Sequence, residues 1–201
     1  MSSDQAYQET AIVKRVLGGE RDAYALLVER YNTSLFRYLA RMVDQPADAE
    51  DLAQEAFLRA YLSLASYDPT YRFSTWLFRI ATNLAINRIK AASKIVSLDE
   101  LRDRRAERDE APIELADAST DGQPACAAER SDMVRLIRQC LRELPPDYRA
   151  VVAMRHIAEL SYNEISDSTG LPLNTVRTRL HRGRERLGEC LETRLPKEER
   201  R

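Results

Sequence analysis

The stretch from Leu160 to Leu187, LSYNEISDSTGLPLNTVRTRLHRGRERL, decides the fold because it carries start and stop signals for two successive helices. Ser161 and Glu164 have the spacing of a capping box, in which each side chain bonds the other residue's backbone amide. Gly170 ends this helix, because glycine tolerates the positive φ of a tight turn. Pro172 is suited to the start of the next helix. The stretch therefore predicts a helix-turn-helix.

The second helix of this pair has two faces of opposite character. We expect Asn174 or Thr175 as its N-cap, and an apolar stripe at helical spacing predicts its buried face. That stripe consists of Val176, Leu180, Gly183 and Leu187. The opposite face is rich in arginine, which can bond guanine in the major groove and phosphates beside it. The residues that we expect to contact duplex DNA are Asn174, Thr175, Arg177, Thr178, Arg179, His181, Arg182 and Arg184. A plain solvated helix is the alternative, which the cap and the glycine turn disfavour.

The rest of the chain is also patterned for helices. Apolar residues recur at helical spacing from Thr10 to about Lys90 and again from Met133 onward. Breakers at Gly18-Gly19, at Asp44 to Pro46 and at Tyr67 to Pro69 divide the first run into about four helices. No run of alternating β-branched residues occurs between turn signals, so we expect no strands.

Between residues 93 and 130 the periodicity dissolves into charged and small residues with an excess of acids, which is typical of a flexible linker. A short helix at residues 98–107 would have only a thin hydrophobic face. We therefore expect an all-α fold of two small helical domains, residues 10–92 and residues 131–192, joined by an acidic linker over residues 93–130.

Composition limits the class of protein. The 201 residues, 44% of them apolar and 31% charged, are typical of a soluble globular chain. No stretch approaches the ~20 apolar residues of a membrane span, and the N-terminus lacks the features of a signal peptide, so we expect a cytoplasmic protein without membrane insertion. The formal net charge of −1 hides a strong segregation of acids from arginines.

Catalytic and metal-binding signatures are missing from the sequence. It has two histidines, and it contains no glycine-rich phosphate loop, nucleophile elbow or metal-ligand cluster. Cys126, Cys140 and Cys190 are odd in number and widely spaced, so we expect reduced, unpaired thiols. We expect no enzyme activity, no cofactor and no metal site.

The segment from Asp48 to Tyr61 predicts a helix that begins with acids, which complement the positive end of the helix dipole. Asp51, Gln54, Glu55 and Leu58 share one face of it, and such a face suits a protein partner that carries Arg or Lys. A plain solvated helix face is the alternative. We call the set of Asp48, Asp51, Gln54, Glu55 and Leu58 the acidic stripe.

The segment from Tyr67 to Ala91 predicts a mostly apolar helix with one polar and aromatic face. Rings to stack on, amides for unpaired base edges and cations for phosphates are what single-stranded nucleic acid requires. The alternative is that the aromatic residues belong to the core; we accept it for Phe73 and leave it open for Trp76. The aromatic-amide stripe consists of Trp76, Arg79, Asn83, Asn87 and Lys90.

Two parts of the sequence resemble one known family. The stretch from Leu141 to Leu187, LRELPPDYRAVVAMRHIAELSYNEISDSTGLPLNTVRTRLHRGRERL, is very similar to region 4 of extracytoplasmic-function sigma factors, and the two segments from Asp48 to Tyr61 and from Tyr67 to Ala91 resemble regions 2.2 to 2.4 of the same family. Asn174 stands where many members carry Gly, and Ser166 where Ala is usual.

The resemblance implies an alternative sigma factor that binds core RNA polymerase and directs promoter recognition, melting and initiation. It implies that the acidic stripe docks on the β′ clamp, that region 4 meets the β flap and reads the −35 element, and that an anti-sigma protein regulates the chain. It also implies that Tyr67 and Asn83 form a pocket for a base flipped from the −10 element, with Asp68 to Arg72 as its loop. The residues expected to bind the −10 element are Tyr67, Tyr71, Arg72, Trp76, Arg79, Asn83, Asn87 and Lys90.

The near-zero net charge predicts weak binding to DNA by the free protein. Two weak DNA-binding domains on one tether read DNA effectively once polymerase fixes their separation. We expect a monomer when the protein is free. The alternative is a stand-alone helix-turn-helix regulator, which predicts a symmetric dimer with half-sites about one helical turn apart.

Overall fold

The computed structural model describes residues 2–99 and 124–195, with side chains described for residues 6–92 and 132–195. Within these ranges every regular element is a helix, which confirms the all-α prediction. The helices are α1 (Ser2–Leu17), α2 (Tyr24–Met42), α3 (Pro46–Leu62), α4 (Phe73–Asp99), α5 (Pro124–Glu143), α6 (Pro146–His156), α7 (Tyr162–Thr169) and α8 (Leu173–Arg194). Single turns of 3₁₀ helix lie at Arg21–Ala23 and Leu64–Ser66. None of the described helices has the length and apolarity to cross a membrane.

The predicted helix boundaries in the first half are confirmed. Helix α1 ends at Leu17, and Gly19 follows with a φ of 106°, in the region that glycine alone adopts easily. Pro46 occupies the first turn of α3, where its missing N–H removes no hydrogen bond. Helix α4 begins at Phe73, after the turn at residues 67–69.

The structure differs from the predicted linker at both ends. Helix α4 continues through residue 93 to Asp99, and α5 begins at Pro124, well before residue 131. A helix that has been nucleated extends at little cost, and the alanine-rich turn after Pro124 has high intrinsic helix propensity without any apolar stripe. The short helix considered at residues 98–107 falls outside the described residues beyond Asp99.

The first unit, α1 to α4, is built around large side chains from α2 and α4. Leu27, Leu35 and Tyr38 of α2 are fully buried, as are Phe73 and Leu77 of α4. Each such side chain contributes ~1.5–3 kcal/mol by leaving water. Helix α3 lies between them with a row of small buried residues, which lets its backbone approach both neighbours closely. That row is Ala49, Ala53, Ala56 and Ala60.

The second unit, α5 to α8, contains the predicted helix-turn-helix. The capping box is confirmed: Ser161 Oγ accepts from the Glu164 N–H at 3.2 Å, and the Ser161 N–H donates to Glu164 Oε2 at 2.7 Å. Gly170 ends α7 with a φ of 69°. The predicted buried stripe is confirmed as well, since Val176 and Leu180 are buried and the stripe's remaining members are buried or half-buried.

The predicted N-cap of α8 is wrong. Pro172 is the N-cap, and Asn174 and Thr175 lie inside the first turn. The proline ring fixes φ at −56°, and the Pro172 carbonyl accepts hydrogen bonds from the N–H groups of Thr175 (2.8 Å) and Val176 (3.1 Å). The backbone conformation and the carbonyl of Pro172 therefore initiate the helix, and no side chain caps it.

The two units pack against each other, which the sequence did not predict. Helix α7 contacts α4, α6 contacts α2, and the buried apolar residues of both units form one continuous cluster. Arg149 of α6 is buried and donates to the carbonyl of Met42 at 2.7 Å. Met42 is the last residue of α2, so its carbonyl has no hydrogen-bond donor within its own helix. Ser168 Oγ donates to the Thr75 carbonyl at 2.8 Å. We call this packing the closed arrangement.

The expectation of unpaired thiols is wrong for two of the cysteines. Cys140 of α5 and Cys190 of α8 form a disulfide, with their Cα atoms 5.7 Å apart. They are 50 positions apart in sequence, and only the packing of α5 on α8 brings them together, so their spacing along the chain carried no sign of it. The side chain of Cys126 lies outside the described residues.

Candidate functional site

The aromatic-amide stripe lies on the surface of α4, as its spacing predicts. Trp76 is half-buried, and Arg79, Asn83, Asn87 and Lys90 are exposed. The opposite side of the helix is anchored in the core by Phe73, Leu77 and Phe78. This division fixes the direction in which the amides and cations point. The stripe can therefore meet an extended ligand along several turns of helix.

At the beginning of this stripe three aromatic rings pack against one another in edge-on or tilted arrangements. The centroid of the Tyr67 ring lies 5.8 Å from that of Phe73 and 5.4 Å from that of Trp76. Tyr67 is only 8% exposed, and its hydroxyl donates to the Tyr71 carbonyl at 2.6 Å. Burial and the nearby Glu9 carboxylate raise the pKa of Tyr67 to about 12, so it stays a neutral donor. In the closed arrangement Tyr67 is buried, and its hydrogen bond to Tyr71 ties it to the loop from Asp68 to Arg72.

The loop from Asp68 to Arg72 is ordered by its own side chains. Asp68 Oδ1 accepts the Thr70 N–H at 2.9 Å, and this hydrogen bond lowers the pKa of Asp68. Tyr71 is 47% exposed at the tip. Arg72 is turned toward the second unit, where its guanidinium bonds Glu164 Oε1 at 2.9 Å. Of the loop residues predicted to bind DNA, Tyr71 is available here and Arg72 is engaged.

Asn83 borders an open pocket between α3 and α4. The pocket has a volume of about 430 Å³ and is lined by Arg59, Leu62, Ser63, Ile80 and Asn83. Tyr67 is not among these lining residues, and the base pocket of Tyr67 and Asn83 that the resemblance implied stays a prediction. The residues that α3 contributes to this pocket were missed because the exposed face of α3 was assigned only as far as Leu58. Arg59 and Leu62 follow Glu55 and Leu58 at a spacing of four residues, so helical periodicity could have placed them on the same face.

The acidic stripe on α3 is partly engaged within the first unit. Asp51, Gln54 and Leu58 are exposed, Leu58 to 57%. Asp48 forms an ion pair with Arg88 of α4, and Glu55 forms one with Arg59 at 2.5 Å. Leu62 extends the stripe by one turn and is 73% exposed. Exposed leucines beside acids form a surface that suits a protein partner.

The side of α8 that the sequence predicts to face DNA is exposed at its centre. Arg177, Thr178, His181 and Arg182 all lie on the surface, and we call these four residues the groove face. Asn174 is exposed at the start of the helix, and Thr175 is half-buried. Because Val176, Leu180 and Gly183 seat the other side against α6, the groove face projects outward.

Two of the predicted arginines are held by neighbours in the second unit. Arg179 pairs with Asp147 at 3.3 Å. The Nε–H of Arg184 donates to His156 Nε2 at 3.2 Å. Partial burial, followed by the charges of Arg184 and Arg155, lowers the pKa of His156, so its ring is neutral and able to accept. These contacts orient both arginines beside the groove face.

Two contacts between an arginine and an aromatic ring join α6 to its neighbours α7 and α8, and both were missed from the sequence. The Arg186 guanidinium lies over the Tyr148 ring at 5.0 Å, and that of Arg155 lies over the Tyr162 ring at 5.6 Å. A pocket of about 330 Å³ lies between α7 and α8 and includes Tyr162, Arg177 and His181. Arg186 and Tyr148 lie on different helices, as do Arg155 and Tyr162, so the periodicity of a single helix does not signal either pair.

Comparisons with known proteins agree with this architecture. The family model for Sigma-70 region 2 matches residues 27–95, and that for Sigma-70 region 4 matches residues 135–187. The chain is 39% identical to the ECF RNA polymerase sigma factor SigW of Bacillus subtilis, over 89% of this chain and 94% of that protein. It is 32% identical to the RNA polymerase sigma-H factor of Pseudomonas aeruginosa, over 92% and 94% of the two chains.

Solved structures share the fold. CnrH, in complex with the cytosolic domain of CnrY, matches with a TM-score of 0.65 at 22% identity, over 93% of this chain and 99% of CnrH. The sigma factor RpoE of Bartonella quintana, in complex with the anti-sigma factor NepR, matches with a TM-score of 0.64 at 19% identity, over 86% and 98% of the two chains. The matches of both regions and the identity to sigma factors over most of each chain set aside the stand-alone regulator. The chain belongs to the extracytoplasmic-function group of the sigma-70 family and is an alternative sigma factor, a transcription-initiation protein and not an enzyme.

Proposed function

We propose that this sigma factor reads two promoter elements with two separate helices. The aromatic-amide stripe of α4 and the loop from Asp68 to Arg72 bind the melted −10 strand. The groove face of α8 binds the −35 duplex. The observation that carries the proposal is that both helices are seated by a buried face and expose Asn, Arg, Thr or His on the other. Amides and rings suit unpaired bases, and arginine suits guanine edges.

The polymerase contact is assigned to α3. Asp51, Gln54 and Leu58 are exposed there, next to Leu62, and we propose that they dock on the β′ clamp. For the second unit, the family resemblance leads us to propose a contact with the β flap. Acids with exposed leucines give both charge complementarity and apolar area against a basic partner. This interaction takes place in the cytoplasm.

The closed arrangement represents the protein before it joins polymerase. Arg72, which belongs to the proposed −10 loop, is held by Glu164 of α7, and Thr75 of α4 is covered by Ser168. The Arg72–Glu164 pair is partly exposed, so it contributes only ~1 kcal/mol. The hydroxyl of Thr75 has no hydrogen-bond partner among the described residues, which weakens the contact further. Polymerase can therefore separate the units when it binds each of them.

An anti-sigma protein is the proposed regulator. CnrH and RpoE were each solved in complex with a protein partner, CnrY and NepR respectively. In this chain the acidic stripe offers a partner the same exposed leucines that polymerase requires. A protein that covered Leu58 and Leu62 would compete directly with polymerase.

Run-off transcription with core polymerase and a promoter library tests the assignment. Wild-type protein should direct initiation from a subset of templates. Arg177→Ala should cost ~1–3 kcal/mol at one −35 base pair and relax selectivity there, because a bidentate contact to a base edge is lost. Asn83→Ala should reduce −10 selectivity and leave the −35 preference intact. Arg194→Ala, at the far end of α8, is the matched control. Absence of added initiation on every template would overturn the proposal.

A further inference from the structure

Helix α1 precedes the residues that the family model of region 2 matches, and it carries a buried acid. Glu9 has no exposed surface at all. Its Oε1 accepts a hydrogen bond from the Tyr31 hydroxyl, and its Oε2 accepts one from the backbone N–H of Phe73 at 3.1 Å. Arg30 approaches Oε1 to 4.0 Å. Burying a carboxylate is costly unless it is bonded on several sides, so this acid has a specific role.

The acceptor of the Phe73 N–H matters because Phe73 is the first residue of α4. The first N–H groups of a helix have no partner within the helix, and they attract negative charge. Helix α4 has no acid in its own first turn. Glu9 supplies both the acceptor and the charge from a different helix, 64 positions away in sequence. Helix α4 is therefore capped by α1.

This cap lies directly beneath the proposed −10 reading surface. Phe73 follows immediately after the loop from Asp68 to Arg72, and its ring packs on Tyr67 and Trp76 with centroids 5.8 Å away from each. On the other side the Phe73 ring lies 5.9 Å from that of Tyr31, the second residue that Glu9 bonds. A shift of the Phe73 backbone would move the loop and Trp76 together.

We propose that Glu9 is a positioning residue for −10 recognition: it fixes the start of α4 so that the loop and Trp76 hold the register in which an unpaired base is read. This inference rests on the proposed function of α4 and extends it to α1. Glu9 itself contacts no DNA, since it is enclosed by its own fold. Its effect should fall on promoter opening and on −10 base preference, with binding to core polymerase and to the −35 duplex unaffected.

Three substitutions separate positioning from mere support of the fold. Glu9→Ala removes the acceptor. Glu9→Gln keeps it, because the amide oxygen can accept the Phe73 N–H while the amide N–H donates to the Tyr31 oxygen. Val13→Ala, one turn along α1, removes buried apolar volume at a residue that is 4% exposed and so serves as the matched control.

The measurement is made with reconstituted holoenzyme on one promoter and on variants with each base changed at the melted −10 position. For Glu9→Ala we expect the opening rate on the best −10 sequence to fall about tenfold to a hundredfold, which corresponds to the loss of a charge-assisted hydrogen bond. The preference among −10 bases should flatten. Glu9→Gln should stay within about twofold to threefold of wild type, since a neutral hydrogen bond replaces the charged one. Val13→Ala should keep the wild-type preference.

Equal losses in Glu9→Ala and Val13→Ala with an intact −10 preference would overturn the inference, because the acid would then only stabilise the fold. Should Glu9→Ala fail to fold, the double variant Glu9→Leu with Tyr31→Phe restores apolar volume and leaves only the Phe73 N–H uncapped. It must show the same flattened preference, and an unchanged preference overturns the inference. Wild-type holoenzyme that initiates nowhere would instead refute the proposed function, so the two failures are distinguishable.

Discussion

Two glycines of α8 give a matched pair of substitutions with opposite expected outcomes. A Cβ atom added at Gly183 would lie 2.7 Å from Cγ2 of Val152, whereas one added at Gly188 would meet nothing within 4 Å. Val152 is 2% exposed and β-branched, so its side chain cannot rotate away. Helix α8 must therefore move off α6 in Gly183→Ala. Alanine otherwise favours the helix over glycine by ~1 kcal/mol at both positions.

The magnitude follows from these two effects. Gly188→Ala should stabilise the protein by ~0.5–1 kcal/mol. Gly183→Ala gains the same helix propensity and loses ~1–3 kcal/mol to overpacking, so the two variants should differ by ~1–3 kcal/mol in free energy of unfolding. Urea unfolding followed by circular dichroism measures the difference, and Gly183→Ala should also weaken −35 recognition. If both variants gained stability equally, the proposed close packing of α8 on α6 would be refuted.

Three further outcomes follow from contacts in and between the units. Cys190→Ser should lower the free energy of unfolding of the oxidised protein by about 4 kcal/mol, the chain-entropy value for a loop of 50 residues, and a reductant should destabilise wild type but not the variant. Ser168→Ala should shift the population toward separated units by about fivefold, because it loses ~1 kcal/mol of hydrogen bonding, and an unchanged distance between labels on α4 and α7 would contradict this. Partial burial opposes ionisation of Glu164, but hydrogen bonding from Ser161 and Arg72 outweighs it and holds the pKa of Glu164 below its usual 4.5. The stabilisation that the ionised Glu164 provides is therefore fully present above pH 4.5 and is lost as the pH falls through the lowered pKa. Glu164→Gln should flatten the acid dependence of unit separation, measured with the same labels.

Local signals in the sequence predicted local structure well. The capping box at Ser161, the left-handed turn at Gly170 and the exposure of Asn83 and Arg177 all depend on residues within two turns of helix, and the structure has each of them. The N-cap of α8 failed for a local reason too, because Pro172 initiates the helix without a side-chain acceptor. Periodicity and capping rules therefore predict structure only among residues that are close in sequence.

Contacts between distant segments could not be predicted from a single sequence. Glu9 and Phe73 are 64 residues apart, and Arg149 and Met42 are 107 apart. In each pair a buried charged side chain bonds a backbone atom, and almost every residue type has the same backbone atoms. The residue type of the partner therefore gives no sign in the sequence that the contact exists. The burial of Tyr67 could not be predicted either, because it depends on packing against the rings of Phe73 and Trp76 of α4, which the local sequence pattern does not specify.

The electrostatics of α8 explain how a protein with a net charge of −1 can serve as a promoter reader. Arg179 is paired with Asp147 and Arg184 is bonded to His156, so a phosphate approaching the free protein must compete with an internal partner for Arg179. In the proposed function, the open centre of the groove face, led by Arg177, is assigned to base contacts and provides few phosphate contacts. Phosphate contacts provide most of the affinity of a DNA-binding protein, so the free chain should bind weakly and without much salt dependence. Tethering through polymerase raises the local concentration of the promoter and replaces the missing affinity. On the proposed function, specificity comes from this chain and affinity from its assembly with polymerase, and the free protein is expected not to occupy DNA on its own.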